Sequence, residues 1–383
     1  MRDSNDNESS LDISNYQFSR LQLFVEPHSV TKEWTTKNRL LSQELKTFKN
    51  KIDNQRKWDI AKKCANEHEF IFSFNNDGVA NFVPISRSYF KMIELLKDHK
   101  LFDSFVTQHS VDKRFRHQLK AACLCEGPGG FVQALNDTGA ALEIPMTPIH
   151  CITLISNNKK VPNWKTSSLS NFSVSIGSDG TGDIYKIGNI DFFMREVGGN
   201  SCDLVTADGG FDFSGDFNSQ ETDFVRLLLC EVYTCMLIQR VGGVFVTKMF
   251  DLFHTNTLRI LTLLRTMYDT VSIHKPKTSR PANSEKYVIC KGYRPPSNQV
   301  FISIRSHIMG GKGDIAHVIN PQLYTDTLRQ VTIYNECFVA KQICYIEKTL
   351  EIIRNNVFDK KKHIEVCKAW CRKYGIPIKS LLE

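Results

Sequence analysis

The sequence has no hydrophobic run long enough to cross a lipid bilayer. A membrane-spanning helix needs about 20 consecutive, mostly apolar residues, and the 383-residue chain contains no such run. The N-terminus, MRDSNDNESS, is polar where a signal peptide would be apolar. These absences argue against a membrane protein and against a secreted protein, and we expect no membrane partner.

The cysteine patterns of disulfide-rich and zinc-binding domains are also missing. The 12 cysteines are scattered, and several lie in apolar runs, where reduced cysteine behaves as a small hydrophobic residue. This usage predicts a reducing compartment. His363, Cys367 and Cys371 are spaced four apart and share a helical face, but no CxxC pair accompanies them, so we expect no metal.

Nucleotide-binding signatures are incomplete. Gly127, Gly129 and Gly130 follow an apolar run and open a predicted helix, a place where the backbone can approach a ligand. The turn lacks the full G-x-G-x-x-G spacing, and no Gly-Lys-Ser/Thr follows it. Dinucleotide and nucleoside triphosphate binding therefore lose support.

The composition is that of a large globular chain with a basic excess. Hydrophobic residues make up 41% of the chain, enough for one catalytic domain with extensions. Lys and Arg number 49 against 41 Asp and Glu, a net charge of +8. This excess favours a polyanionic partner.

Short apolar runs alternate with helical segments from about residue 120, which predicts a mostly parallel α/β sheet. Helices are expected to begin near Phe131, Ser219 and Thr255, the second ending at Gly242-Gly243. The predicted organisation is a disordered tail, a mostly helical N-terminal extension, a catalytic domain and a mostly helical C-terminal region, over residues 1–15, 16–85, 86–295 and 296–383, respectively.

Charged residues stand at the ends of two predicted strands. Asp208 closes an apolar run at the sheet edge where open α/β folds bind ligands, although an isolated Asp-Gly is also a common turn former. Lys248 ends another apolar run, where a lysine is costly unless it is paired or functional. Glu285 lies in a polar loop before the last strand.

Together with Lys91, in a helix before the sheet, these residues resemble the Lys-Asp-Lys-Glu tetrad of FtsJ-like ribose 2′-O-methyltransferases. Over roughly residues 85–295, the surrounding sequence is similar to the sequences of the eukaryotic and viral branch that methylates mRNA caps. The similar segments are EGPGGF at 126–131, ADGGF at 207–211, TKMFD at 247–251 and TSRPANSEKY at 278–287.

The resemblance implies a Rossmann-like methyltransferase sheet that uses S-adenosylmethionine, with an N-terminal helical extension and a C-terminal helical appendage. The resemblance also implies that Asp183, in the segment Gly182-Asp183-Ile184, contacts the adenine. Ser156 and Asn157 stand where many methyltransferases have an acidic residue, which leaves the ribose contact unassigned. The glycine turn receives the methionine end of the cofactor, with Glu126, Gly127, Pro128, Gly129, Gly130 and Phe131 as cofactor-binding residues.

The implied catalytic residues are Lys91, Asp208, Lys248 and Glu285. A ribose 2′-hydroxyl is a poor nucleophile, so Lys248 would act as its base or steering group. A base would need a pKa lowered from about 10.4 toward neutrality. Burial and Lys91 push the pKa of Lys248 down while both carboxylates push it up, so the sequence leaves its charge open.

A basic loop near Glu285 supplies candidate RNA contacts, namely Lys277, Arg280 and Asn283, with a solvated loop as the alternative. Aromatic side chains that could stack on a methylated guanine have the hydrophobic core as their alternative place. They are Trp34, Trp58, Trp164, Tyr89 and Phe211.

The implied function is methylation of the ribose 2′-oxygen of the first transcribed nucleotide of 7-methylguanosine-capped mRNA. The alternatives are 2′-O-methylation of ribosomal or small nuclear RNA, and a catalytically silent cap-binding subunit. Expected partners are capped mRNA and other capping or transcription proteins. The expected location is the nucleus, or a cytoplasmic viral factory or virion if the protein is viral.

Overall fold

The computed structural model describes residues 15–18, 28–53, 55–72, 78–103, 118–158, 161–210, 218–310 and 315–380. The predicted disordered tail lies outside the described residues except for Asn15, and Phe211 lies outside them as well. Within these ranges, no helix is both long enough and apolar enough to span a membrane.

The centre of the fold is an eight-stranded mixed sheet with strand order β1-β7-β8-β6-β5-β2-β3-β4. Five neighbouring strands, β4, β3, β2, β5 and β6, run parallel, whereas β8 is antiparallel to β6 and β7. The predicted α/β sheet is confirmed. The strands are β1 (Asn15–Gln17), β2 (Ala121–Leu124), β3 (Ile149–Ile152), β4 (Phe172–Ser175), β5 (Cys202–Ala207), β6 (Gln239–Met249), β7 (Tyr268–His274) and β8 (Lys286–Tyr293).

Ten helices in the described ranges cover both sheet faces and extend the fold. They are α1 (His28–Lys49), α2 (Trp58–Ala65), α3 (Ser88–Asp98), α4 (Gly130–Ala141), α5 (Ile187–Val197), α6 (Gln220–Ile238), α7 (Thr255–Met267), α8 (Asn298–Met309), α9 (Pro321–Asn355) and α10 (Lys360–Tyr374). Successive side chains of β2 face opposite sides of the sheet. Ala122 packs in the cluster that contains α5–α8, and Ala121 packs in the cluster that contains α3, α4 and α10. Helices α1 and α2 pack on α9.

One predicted helix end was wrong, and two strands, β1 and β4, were not predicted. Helix α6 ends at Ile238 rather than near Gly242, because the chain enters β6 at once and pairs Gln239 with Cys202 of β5. Strand β4 was not predicted at all. Its sequence, FSVS, is short and half polar, and it lies at the sheet edge.

Candidate active site

Strand directions bring the predicted catalytic residues to one edge of the sheet. Asp208 follows β5, and its N–H donates to the carbonyl of Leu124 at the end of β2 (3.2 Å). Lys248 is the penultimate residue of β6. Because β8 runs antiparallel to β6, its start lies beside the end of β6, with Tyr287 opposite Lys248. Glu285 therefore arrives next to Lys248.

The four predicted catalytic residues form two ion pairs. Lys91 Nζ, from α3, lies 2.7 Å from Glu285 Oε1 and 2.9 Å from Oε2. Lys248 Nζ lies 3.2 Å from Asp208 Oδ1 and donates to the Asp208 carbonyl at 2.9 Å. All four side chains are largely buried, with exposed fractions of 10–16%.

The charge of Lys248 is set by a balance between burial and its neighbours. Burial lowers the pKa of Lys248, but the carboxylates of Asp208 and Glu285 outweigh it, and the pKa is raised above its usual value. Burial raises the pKa of Glu285, yet Lys91 and Lys248 bring it far below its usual range. Without substrate, Lys248 is an ammonium ion and Glu285 a carboxylate.

Among the described residues, the Lys248 ammonium has fewer acceptors than protons. An ammonium group donates three hydrogen bonds, and the two described acceptors are both on Asp208. A Cβ at position 210 would lie 3.1 Å from Lys248 Nζ, so glycine at this position keeps a side chain away from the ammonium. A hydroxyl oxygen would supply the third acceptor.

Three further residues hold the tetrad, and their roles were missed from the sequence. The Tyr287 hydroxyl donates to Asp208 Oδ1 (2.8 Å). The Ser279 hydroxyl donates to Glu285 Oε1 (2.8 Å), and Lys275 Nζ donates to the Glu285 carbonyl (2.6 Å). Their contacts depend on strand register and loop path, which the sequence does not display.

Glu231 is a fourth missed residue, and here a signal was present. It interrupts the apolar run of α6, where an acidic residue is costly without a partner. Its Oε1 accepts from the Gly209 N–H (3.2 Å), beside Asp208. Burial raises the pKa of Glu231 to about 8.

The predicted cofactor loops converge at the same sheet edge. The chain enters α4 through Gly129, whose φ of +114° is in the left-handed region. A Cβ on Gly127 would lie 2.7 Å from the Pro162 carbonyl oxygen, and one on Gly182 would lie 2.1 Å from that of Thr153. The loops after β2, β3 and β4 thus meet through backbone contacts that only glycine allows.

Glu126 and Asp183 supply acidic groups among these loops. Both Glu126 carboxylate oxygens are buried, and neither accepts a hydrogen bond from the part of the chain that the structure describes. Burial raises the pKa of Glu126 well above its usual range. Asp183 Oδ1 accepts from the Tyr185 N–H (2.9 Å). Phe131 is fully buried, and its ring lies 5.8 Å from that of Tyr287, so it packs beneath the site.

Two of the three predicted RNA contacts form hydrogen bonds within the protein, and the side chain of the third has no partner among the described residues. The Arg280 guanidinium donates to both Glu69 oxygens (2.7 and 3.1 Å). Asn283 Oδ1 accepts from Lys275 and from the Ser279 hydroxyl. Lys277 is exposed. Their contact with RNA stays a prediction, and Lys277 is the one best placed for it.

Of the predicted stacking residues, Trp58 and Tyr89 belong to the core. Only 8% of Trp58 and 4% of Tyr89 is exposed, and each lies in a hydrophobic cluster. Trp34 and Trp164 are half-buried.

Comparison with known proteins adds a family and several relatives. The sequence profile of the FtsJ-like methyltransferases matches residues 84–293. The chain is 34% identical over 212 residues to a cap-specific mRNA (nucleoside-2′-O-)-methyltransferase of Autographa californica nuclear polyhedrosis virus, covering 52% of this chain and 79% of the relative. It is 30% identical over 275 residues to cap-specific mRNA (nucleoside-2′-O-)-methyltransferase 1 of Danio rerio, covering 67% and 33%.

A third relative has a different name. The chain is 28% identical over 263 residues to the inactive cap-specific mRNA (nucleoside-2′-O-)-methyltransferase 1B of Caenorhabditis briggsae, covering 62% of this chain and 29% of the relative. The chain thus spans about a third of the length of the fish and nematode relatives.

Proposed function

The chain belongs to the FtsJ-like methyltransferase family, and on that premise we propose that it methylates the ribose 2′-oxygen of the first transcribed nucleotide of 7-methylguanosine-capped mRNA, with S-adenosylmethionine as methyl donor. The observation that carries the proposal is the pair of ion pairs, Lys91–Glu285 and Lys248–Asp208, at one sheet edge. The names of the viral and fish relatives support a capped mRNA substrate. Such an enzyme would act where mRNA is capped, in the nucleus or in a viral factory.

Lys248 steers the hydroxyl in this proposal. Its ammonium donates to Asp208 twice and turns its third proton toward the ribose 2′-oxygen, in the space beside Gly210. One lone pair of that oxygen is then fixed, and the other points along the line of attack. Positioning of this kind supplies several kcal/mol of the rate enhancement.

The Lys91–Glu285 ion pair lies next to Lys248 and fixes the position of the Glu285 carboxylate. Glu285 is fixed by Lys91, by the Ser279 hydroxyl and through its own carbonyl by Lys275. In this reaction the 2′-oxygen would bond to the methyl carbon, the electrons of the broken sulfur–carbon bond would stay on the sulfur, and the hydroxyl proton would pass to solvent water. The neighbouring Asp208 and Glu285 carboxylates stabilise the positive charge that builds up on the attacking oxygen.

The residues of the glycine turn fit the methyl donor. S-adenosylmethionine supplies an activated methyl group on a sulfonium. A buried carboxyl group without a donor is costly, and the unpartnered oxygens of Glu126 match the ammonium of the methionine end. Asp183 retains an oxygen for the adenine amino group, because its Tyr185 contact uses Oδ1.

A catalytically silent cap-binding protein is the alternative from another class, and the inactive nematode relative shows that similarity alone does not establish turnover. Two largely buried lysines, each paired with a carboxylate, favour the enzyme here. Burying such charges is costly, and a purely binding protein gains nothing from them.

The test is methyl transfer to RNAs that differ only in the cap, with the modified ribose mapped. The panel contains 7-methylguanosine-capped, guanosine-capped and uncapped RNA of one sequence, and Lys248→Met is the control for contaminating activity. A stacked cationic base is worth about 1–2 kcal/mol, so we expect roughly tenfold preference for the methylated cap. Equal rates on all three RNAs would favour ribosomal or small nuclear RNA, and no transfer to any RNA would favour the silent protein.

A further inference from the structure

A pocket lies between the loop that leads to Glu285 and helix α9. Its volume is about 370 Å³, within the usual range of ligand sites. Three segments form its walls: the turn after α2 (66–68), the β7–β8 loop (275–281) and α9 (338–345). We call it the α9 pocket.

The α9 pocket shares a wall with the tetrad. Ser279 lines it and donates through its hydroxyl to Glu285 Oε1 (2.8 Å). Lys275 also lines it, and its Nζ donates to the Glu285 carbonyl (2.6 Å). A group bound in this pocket is therefore one loop away from a ribose held at Lys248.

Two lysines that line the pocket have no carboxylate partner in the part of the chain that the structure describes. Lys277 lies on the β7–β8 wall and Lys341 on the α9 wall, and both are exposed. Among the described residues, no carboxylate lies within ion-pair distance of either lysine. Glu67, the acidic residue of the pocket, lies 3.7 Å from Lys348 instead. Burial lowers the pKa of His68, so this ring is neutral near pH 7.

These features select the ligand. A phosphodiester chain is the polyanion that two unpaired lysines on facing walls would hold. The half-buried Tyr345 and the neutral His68 line the pocket, and rings of this kind stack with unpaired bases. Lys348 Nζ already lies 5.4 Å from the centre of the Tyr345 ring, so a base would use the opposite face. A cationic 7-methylguanine would be repelled by the lysines, so the pocket does not suit the cap.

We propose that the α9 pocket binds the transcript immediately downstream of the methylated nucleotide, with backbone phosphates on Lys277 and Lys341 and a base against Tyr345. The inference rests on the proposed function and extends it, because it assigns a site to RNA beyond the cap. Single-stranded RNA longer than a cap dinucleotide should then bind more tightly and with a steeper salt dependence.

The test compares two substrates over a salt series. Binding of a capped RNA of roughly ten nucleotides and of a cap dinucleotide is measured by fluorescence polarisation between about 50 and 200 mM salt, with S-adenosylhomocysteine present. The variants are Lys277→Ala and Lys341→Ala. Lys361→Ala is the matched control, an exposed lysine in α10 that does not line the pocket.

Each pocket substitution should reduce the slope of log affinity against log salt by about 0.7 and weaken the longer RNA roughly fivefold near 0.1 M salt. Cap dinucleotide binding and the control variant should match the wild type. Unchanged slopes in both pocket variants, or an equal loss with Lys361→Ala, would overturn the pocket. An equal loss on the cap dinucleotide would also overturn it, because the pocket would then hold the cap.

The same measurements separate this inference from the proposed function. Polarisation requires no methyl transfer, so the expected slopes without turnover would contradict the proposed function and leave the RNA site standing. Normal cap-dependent turnover with unchanged salt slopes would support the proposed function and contradict the RNA site in the α9 pocket.

Discussion

At the scale of single residues, the charge of Lys248 is the finding that the sequence left open. Burial favours the neutral amine, and the two carboxylates favour the ammonium. The structure decides for the ammonium because Asp208 lies 3.2 Å away and Glu285 is held beside it. In the proposed reaction, Lys248 would therefore begin as a donor that orients the ribose oxygen, and the hydroxyl proton would be lost only as the new bond forms.

The Lys91–Glu285 ion pair should act as one unit. Lys91→Ala and Glu285→Ala are each expected to slow single-turnover methyl transfer by about 10²–10⁴-fold. The double variant should be close to the slower single variant, because either substitution already destroys the pair. S-adenosylhomocysteine affinity, measured by calorimetry, is the control and should not change. Losses that multiply in the double variant would mean that the two residues act separately.

Asp183 should contribute to donor binding and not to the fold. Asp183→Ala removes one charged hydrogen-bond acceptor and is expected to weaken S-adenosylhomocysteine binding by about 1.5–3 kcal/mol in calorimetry. Asp269→Ala is the control, because that exposed carboxylate pairs with Arg294 on the antiparallel side of the sheet. Equal affinity in the two variants would remove Asp183 from the donor site.

Glu231 should make the protein less stable as the pH rises toward 8. Its pKa is raised to about 8 in the folded state, so the fold keeps a proton that the unfolded chain releases near pH 4.5. The stabilisation is complete below the unfolded pKa and is lost as the pH rises through the folded one. Glu231→Gln keeps the acceptor for Gly209 and cannot ionise. Its free energy of unfolding should fall less between pH 5 and 8 than that of the wild type, by on the order of 1–3 kcal/mol.

Urea unfolding at the two pH values measures this difference. Glu143→Gln, an exposed glutamate after α4, is the control and should follow the wild type. Some pH dependence should persist in Glu231→Gln, because burial also raises the pKa of Glu221 to about 8. Identical pH dependence in Glu231→Gln and the wild type would show that Glu231 is ionised in the fold.

The sequence indicated which residues are candidates for the site, but not which other side chains contact them. Asp208 and Lys248 were singled out because charged side chains at strand ends need a reason, and the resemblance to the FtsJ-like tetrad added Lys91 and Glu285. Tyr287 escaped because its place opposite Lys248 follows from the register of β8 on β6, and one residue of slip would turn it to the other face. Arg280 was predicted to bind RNA, but its partner Glu69 is 211 residues away in the chain.

At the scale of elements, one face of α9 holds the loops that carry the tetrad. Asn335 Nδ2 donates to the Leu252 carbonyl (3.1 Å), just after β6. Seven residues on, Gln342 Nε2 donates to the Ala282 carbonyl (3.0 Å) and to the Ser284 hydroxyl (3.3 Å). Residues seven apart share a helical face. The ring of Phe338, between them, lies 4.1 Å from the ammonium of Lys286.

Gln342 should therefore position Glu285 without touching the ribose that is methylated, although it also lines the α9 pocket. Gln342→Ala is expected to lower kcat about tenfold with little change in KM, because the Ser284 side of the loop loses its anchor. The matched control is Thr349→Ala, which removes an equally buried polar group whose bond stays within α9, to the Tyr345 carbonyl. Both variants lose a buried hydrogen bond, so equal kcat values would reduce Gln342 to a purely structural residue.

Elements were predicted where the hydrophobic period was clear. Six of the eight strands and the starts of α4, α6 and α7 follow from the alternation of apolar runs. The boundary between α6 and β6 did not, because Gln239 has no intrinsic reason to leave the helix. Pairing with Cys202 and a buried hydrogen bond from the Tyr268 hydroxyl decide it, and both are tertiary contacts.

At the scale of the whole molecule, the terminal regions complete the catalytic unit. Strand β1 pairs with β7 at the sheet edge, and the ring of Tyr16, within β1, lies 5.5 Å from the ring of Tyr334 in α9. Helix α10 reaches α3, where Trp370 Nε1 donates to Glu94 Oε1 (2.6 Å). The other Glu94 oxygen accepts from the Lys277 N–H (2.7 Å). The predicted domain boundaries near residues 85 and 296 stay predictions, and the hydrophobic core extends across both.

Such shared packing predicts one cooperative unfolding transition for the full chain. Tryptophan fluorescence and far-ultraviolet circular dichroism should give coincident urea curves. Trp370→Phe keeps most of the ring contact with Phe90 but removes the bond to Glu94, so it should cost about 1–3 kcal/mol and shift both curves together. Trp34→Phe changes a half-buried tryptophan of α1. It is the matched control and should shift both unfolding curves far less. If the two probes separate, or if Trp370→Phe displaces only one of them, the C-terminal helices unfold as an independent unit, and the sequence limit near residue 296 is a true folding boundary.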